Sequence, residues 1–395
     1  MTETASLPDR RIIVTALGIT QVLAWGSTFY LLAVLAPSIA RDTGWRYDAI
    51  IAGASVGLLV AALVSPRVGR FIASHGGRPV LAAGAALLAA GLAAIGLAPN
   101  LPLYLLGWAV IGAGMGAGLY DAAFSTLGNI YGANARGTIT AVTLFGGFAS
   151  TVCWPLSALL VARFGWRDTC LIYAAIQIAV SLPLHLLVLP RGRHMDAPQG
   201  KSAPATIGLQ PHERGVFAIL AAVITIGAAV LSIVGTHLLP LLQARGLDLA
   251  VAVGFGAMVG PSQVGARVIE MFTGQRYHPV WTMIASVTLM AVAMVMLFTG
   301  FPLIALAIVL YGAGNGIGTV ARGSLPLTLF GPDRYAVLMG RLALPLMIAM
   351  AVSPYLGGLA FARGGADLTF AILMALALAN VVLAAALRFL ILRKA

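Results

Sequence analysis

Apolar residues run for about 20 positions at a time along this chain, separated by short clusters of Gly, Pro, Arg and Asp. The runs lack the two-residue alternation of a lipid-facing strand and the polar face that a soluble helix keeps. A helix crossing the hydrocarbon core needs about 20 mainly apolar residues, and in lipid its backbone must satisfy its own hydrogen bonds. The pattern therefore predicts twelve transmembrane helices and an all-α membrane protein. They lie near residues 12–38, 48–72, 79–98, 102–130, 136–162 and 168–189, and again near 215–243, 249–272, 279–299, 302–330, 336–361 and 367–391. The first run has no short apolar core followed by a small-residue cleavage site, so it is expected to be retained as a span.

The longest polar stretch, Pro190 to Glu213, is rich in Pro, Gly and charge and divides the chain nearly in half. Offsetting the halves by about 200 residues exposes a repeat. LPLYLLGWAVIGAGMGAG from Leu101 lies over FPLIALAIVLYGAGNGIG from Phe301, with Pro102, Gly112, Gly114, Gly116 and Gly118 matching Pro302, Gly312, Gly314, Gly316 and Gly318. Arg136 and Pro155 likewise correspond to Arg334 and Pro354 with small shifts. The expected organisation is an N-terminal six-helix bundle at 1–189, a cytoplasmic linker at 190–213 and a C-terminal six-helix bundle at 214–395. Because six is even, both copies enter the membrane in the same direction.

Composition narrows the function. Of 395 residues 60% are hydrophobic and 9% charged, which excludes a soluble enzyme or binding module. The net charge of +12 does not form a nucleic-acid stripe, because the basic residues are scattered singly between apolar runs. They read as topology signals. With both termini inside, seventeen Lys and Arg fall on the cytoplasmic side and six opposite, so both ends are expected to be cytoplasmic. Many arginines beside few lysines hint at a GC-rich bacterial genome and hence an inner membrane. Two cysteines, Cys153 and Cys170, offer no disulfide framework or thiolate cluster. No cofactor or metal is expected. The glycine series 112–118 has no preceding strand and no following Lys-Ser/Thr, so it is read as helix packing, not as a phosphate loop.

Twelve spans, a duplicated half and a central loop resemble the major facilitator superfamily over the whole chain. Gly69, Gly76 and Arg78 between the second and third spans fit that family's loop pattern, while Ala73 stands where an aspartate is usual and Gly77 replaces a basic residue. Gln263-Val-Gly-Ala-Arg267 in the eighth span looks like the polar-residue-to-arginine arrangement of the monocarboxylate and oxalate transporter branch. There, the resemblance implies, the arginine binds the substrate carboxylate. His237-Leu-Leu-Pro240 and Thr43-Gly-Trp45 also resemble this branch. The first-helix lysine of monocarboxylate transporters has no counterpart.

Charge in hydrocarbon is costly and normally faces a cavity or a partner. Gln263, Arg267 and Glu270 share one helix face. Arg267 offers a planar fork to an oxyanion with Gln263 fixing its orientation; the alternative is an Arg267–Glu270 gate pair. Asp121 and Arg322 hold corresponding places in the repeat and are candidates for gating or proton coupling, against a static ion pair. Asn315, where the first half has Met115, either contacts substrate or bonds a neighbouring helix. Gln21, Trp25 and Tyr30 lie near one face of the first span and either line the cavity or pack helices. His237 near the outer face is a candidate titrating group, against an interfacial hydrogen bond.

These readings converge on a secondary transporter of a small organic anion, a monocarboxylate among the candidates, working by alternating access with or without a proton. Export of a toxic or drug-like compound is the second account. A membrane enzyme or sensor is the third, and it has no zinc-protease pair, nucleophile elbow or signalling domain to support it. The expected partners are the solute, protons and the bilayer, with no nucleic acid and a functional monomer.

Overall fold

The computed structural model describes residues 8–192 and 209–392, so most of the expected linker, with Arg193 and Lys201, and the terminal Arg393 and Lys394 lie outside the described residues. The chain is all-α. In order the helices are α1 Arg10–Gly26, α2 Leu32–Thr43, α3 Tyr47–His75, α4 Gly77–Gly96, α5 Leu101–Gly118, α6 Tyr120–Tyr131, α7 Arg136–Gly147, α8 Ala149–Ile176 and α9 Leu182–Val188. After the linker come α10 Arg214–Ala244, α11 Leu249–Ala257, α12 Val259–Thr273, α13 Pro279–Thr299, α14 Ile304–Phe330 and α15 Pro332–Leu392.

Among the described residues eight helical runs are long and apolar enough to cross a membrane. The run Leu101–Val188 contains three of the expected spans and Pro332–Leu392 two, because the chain turns at glycines without leaving the helical run. Gly165 takes φ 79° and Gly365 φ 62°, left-handed values that cost a glycine nothing. The first expected span, 12–38, is two helices, α1 and α2, joined by turns over residues 27–31. The expected fourth span breaks at Leu119, whose φ −83° and ψ −171° are extended.

Contacts divide the chain into two compact units: Met1–Ala205 with Phe330–Leu344, and Thr206–Leu329 with Pro345–Ala395. In the first unit α5 packs against α3 and α4. The approach is backbone to backbone: a Cβ at Gly112 would enter the Gly57 carbonyl, and one at Gly114 would meet the Leu88 nitrogen at 2.8 Å. The segment Phe330–Leu344, which the expected 214–395 bundle includes, clusters with this unit, and a Cβ at Gly340 would lie 2.5 Å from the Ser65 carbonyl oxygen. In the second unit the matching glycines of α14 approach α12 and α13. A Cβ at Gly312 would lie 2.8 Å from the Val259 oxygen, and one at Gly314 2.7 Å from that of Ser286. The glycine series thus packs helices in both units, as small residues do where no solvent drives association.

Candidate functional site

In the first unit the break at Leu119 leaves the Gly118 carbonyl without its helical donor, because the Ala122 N–H turns to Leu119 instead, at 3.1 Å. Gln21 of α1, fully buried, supplies the missing donor: its Nε2 lies 2.7 Å from the Gly118 oxygen. Its Oε1 and the Trp25 Nε1 are buried without a hydrogen-bond partner among the described residues. Around them stands an aromatic wall. Trp25 is 5.1 Å from Tyr120 and 6.4 Å from Tyr30, ring centre to ring centre, and Tyr30 meets Trp154 edge-on at 5.9 Å. Asp121, buried, occupies the first turn of α6, where the helix dipole favours a carboxylate. Beside Trp154 an open apolar groove of about 490 Å³, flanked by Ala33 and Val34 of α2 and Ser150 and Thr151 of α8, is within the size range of small-molecule sites.

The second unit is built differently. Its α12 and α14 cross where a Cβ on Gly316 would lie 2.5 Å from the Gln263 carbonyl oxygen, so only a glycine lets the helices approach this closely. Arg267, 3% exposed, fits into that crossing and donates from Nε to the Gly316 oxygen at 3.1 Å. Its Nη2 reaches Gln263 Oε1 and Thr319 Oγ1 at 3.4 and 3.5 Å, the long end of hydrogen bonding. These contacts orient the guanidinium at the crossing of the two helices. Glu270, one turn on, accepts from Thr282 Oγ1 of α13 at 2.8 Å. Asn315 and Arg322 are half-buried on α14, on either side of Thr319 along the chain.

His237 pairs with the Pro354 carbonyl oxygen at 2.8 Å. Five residues away, Ser232 Oγ donates at 2.8 Å to the carbonyl of Met350, the acceptor orphaned when Pro354 brings no N–H to the helix. His237 therefore sits in a junction between α10 and α15.

The structure brings Gln263 to Arg267, and Trp25 to Tyr30, as the sequence spacing predicts. It adds residues that the sequence did not single out: Thr319, Tyr120, Trp154 and the Gly118 and Gly316 carbonyls. Thr319, four residues after Asn315 on one helix face, was findable. The carbonyls were not, because a backbone acceptor carries no sequence signal.

Residues 17–270 match the sequence profile of the Major Facilitator Superfamily. A curated relative, human monocarboxylate transporter 11, is 29% identical over 233 residues, which are 58% of this chain and 47% of that protein. The match thus spans about half the relative's length. The crystal structure of the human organic anion transporter MFSD10 (TETRAN) superposes with a TM-score of 0.77 at 16% identity, over 95% of this chain and all of that one. The transporter FucP in its outward conformation gives 0.70 at 18% identity, over 95% of this chain and 98% of its own. At these identities the structural matches show the shared twelve-span fold alone. With nearly two thirds of its length inside the family profile, the chain belongs to the Major Facilitator Superfamily: it is an integral membrane protein of a transporter family and not an enzyme.

Proposed function

We propose that this protein is a secondary transporter of small organic anions, monocarboxylates foremost, working by alternating access of two six-helix bundles, 1–189 and 214–395. The observation that carries the reading is the buried Arg267, anchored by a backbone carbonyl and offering a planar cation that a carboxylate matches. Gln263 and Thr319 hold that cation until the solute arrives, and Asn315 adds an amide to the same helix. The human relative, named a monocarboxylate transporter, and MFSD10, named an organic anion transporter, support an anionic solute.

In this account Asp121, buried in the first turn of α6, carries a proton that is loaded and released as its surroundings change during the transport cycle. Arg322, Glu270 and His237 serve gating. Both termini face the cytoplasm of a bacterial inner membrane, and the monomer is the working unit.

The deciding experiment is uptake of a radiolabelled carboxylate panel by proteoliposomes, with and without a pH gradient. Saturable uptake of at least one carboxylate, competed by others, is expected. Uptake of none, with a neutral or cationic aromatic compound transported instead, rejects the anion reading. That second outcome has its own support in the aromatic wall of Trp25, Tyr30, Tyr120 and Trp154, which suits efflux of a drug-like compound.

A further inference from the structure

The inward stripe of the last span of the first unit changes character along its length. It begins with Trp166, Cys170 and Tyr173 and ends with Gln177, Ser181 and His185, all buried. Residues Gln177–Ser181 form a turn of π-helix, in which the Leu182 N–H bonds the Gln177 carbonyl. Such turns widen the helix locally and recur where a helix must admit something besides its own backbone. Opposite lies α1, which presents buried Thr20 and, at its C-cap, buried Ser27. Two side-chain bonds cross the seam: Gln177 Nε2 to Ser27 Oγ at 2.9 Å and His185 Nε2 to Thr20 Oγ1 at 3.1 Å.

Two atoms in the seam are left over: Gln177 Oε1 and Ser181 Oγ are buried without a hydrogen-bond partner among the described residues. The hydroxyls on α1 are already committed, Ser27 to the Leu23 oxygen at 2.8 Å and Thr20 to the Leu17 oxygen at 3.0 Å. His185 faces the Thr20 hydroxyl through Nε2, and the Leu81 backbone bonds the same ring. Ser181 Oγ does not bond the carbonyl four residues back, the usual partner of a helical serine. The amide oxygen can only accept and the hydroxyl can do either, so a donor satisfies both. The helix backbones have spent theirs.

We infer that the seam between α1 and the span 166–188 binds a row of internal water molecules that donates to Gln177 Oε1 and Ser181 Oγ and extends along the stripe to the ring of His185. The spacing suits water. Four residues of helix put successive positions roughly 6 Å apart along the axis, more than one water spans with two ordinary hydrogen bonds and within reach of two linked waters. A metal cation would need several ligands converging on one point, and among the described residues no group of three His, Cys, Asp or Glu side chains could hold one. Buried waters typically hold about three hydrogen bonds, and the committed hydroxyls of Ser27 and Thr20 and the Leu81 carbonyl supply further acceptors. The row runs from His185, near the end of the span, to Ser27, where α1 gives way to the turns that carry Tyr30. It requires no assumption about the transported solute.

The sign of a stability change tests it. In a dry seam, Ser181→Ala removes a hydroxyl with no partner and should raise the thermal unfolding midpoint of the purified protein or leave it unchanged. In a hydrated seam the same change breaks the row and lowers the midpoint; Gln177→Leu should lower it as well, and the double variant by less than the sum of the two. A rise or no change for Ser181→Ala overturns the inference. Radiolytic hydroxyl-radical labelling of the membrane-embedded wild type gives a second readout that cannot be blurred by misfolding. His185 should be oxidised faster than Cys170, an intrinsically more reactive side chain fully buried on the same stripe away from the unpartnered atoms. Faster oxidation of Cys170 counts against the water row.

Discussion

The two glycine-rich helices α5 and α14 descend from the same repeated pattern and do the same packing, yet they part at the last glycine. In α5 the helix stops after Gly118, resumes at Tyr120, and the freed Gly118 carbonyl is taken by the neutral amide of Gln21. In α14 the helix runs on through Gly318 to Phe330, and the Gly316 carbonyl is taken by the charged Nε of Arg267. Both units thus use a glycine carbonyl of the repeat to orient a polar side chain from another helix. One aligns an amide beside an aromatic wall and a carboxylate, the other a buried cation. A shared scaffold thus carries opposite chemistry in its two units.

The largest consequence concerns the two oriented side chains. Arg267→Gln should weaken carboxylate uptake roughly 10- to 150-fold, following about 1.5–3 kcal/mol for a charged hydrogen bond, with Arg267→Lys intermediate because an ammonium keeps the charge but not the fork. Gln21→Leu should change affinity far less, since a neutral amide that commits one of its two N–H groups to Gly118 brings no charge to an anion. Equal losses in the two variants would erase the distinction between the units. Substrate affinity measured by equilibrium binding, alongside uptake, separates recognition from turnover.

Next comes the contrast between Asp121 and the cation. If Asp121 carries the proton, Asp121→Asn should abolish accumulation driven by a pH gradient while leaving exchange of internal for external solute, which needs no net proton movement. Arg267→Gln should depress both. An Asp121→Asn protein that still accumulates solute against its gradient would falsify the proton role.

These assignments show how far the sequence reaches. The spans, the repeat and the Gln263–Arg267 face follow from hydropathy, self-similarity and helical spacing, because each rests on side-chain identity at a fixed period. The break at Leu119 and the one following Gly26 do not: nothing in Gly-Leu-Tyr or Gly-Ser-Thr separates a helix that stops from one that continues, as Gly318-Thr319 does. Tertiary partners decide, Gln21 in one case and the intact α14 ladder in the other. The inclusion of Phe330–Leu344 in the first unit was equally out of reach, since it depends on the glycine-to-glycine approach of Gly340 to Gly69.

The packing role of the glycines gives a sharper contrast, read as stability. Gly316→Ala would drive a methyl group to 2.5 Å from the Gln263 carbonyl oxygen, a rigid backbone atom, and should cost about 1–3 kcal/mol as overpacking does. Gly118→Ala meets nothing closer than 3.9 Å, an ordinary contact, and should leave the unfolding midpoint within error of the wild type. The glycines of one sequence repeat would then be divided into those that carry the helix crossing and those that do not. Because Arg267 hangs on the Gly316 carbonyl, the first variant should also lose solute affinity while the second keeps it.

The smallest effect is expected at the α10–α15 junction. Pro354 leaves the Met350 carbonyl without a helical donor, and Ser232 provides one from the neighbouring helix. Removing it by Ser232→Ala should cost about 0.6 kcal/mol, the average for side-chain hydrogen bonds between membrane helices. Pro354→Ala restores the missing N–H within α15 itself, so in that background Ser232→Ala should cost nothing further. The repeat counterpart Pro155 lies in a junction held instead by Ser157 and Tyr173 hydroxyls 2.7 Å apart and by Tyr173 reaching the Cys153 carbonyl at 3.3 Å. Ser157→Ala should therefore destabilise the first unit whether or not Pro155 is present. If Ser232→Ala costs the same with and without Pro354, the serine holds the two helices together by packing, and the proline-orphaned carbonyl is not what it answers.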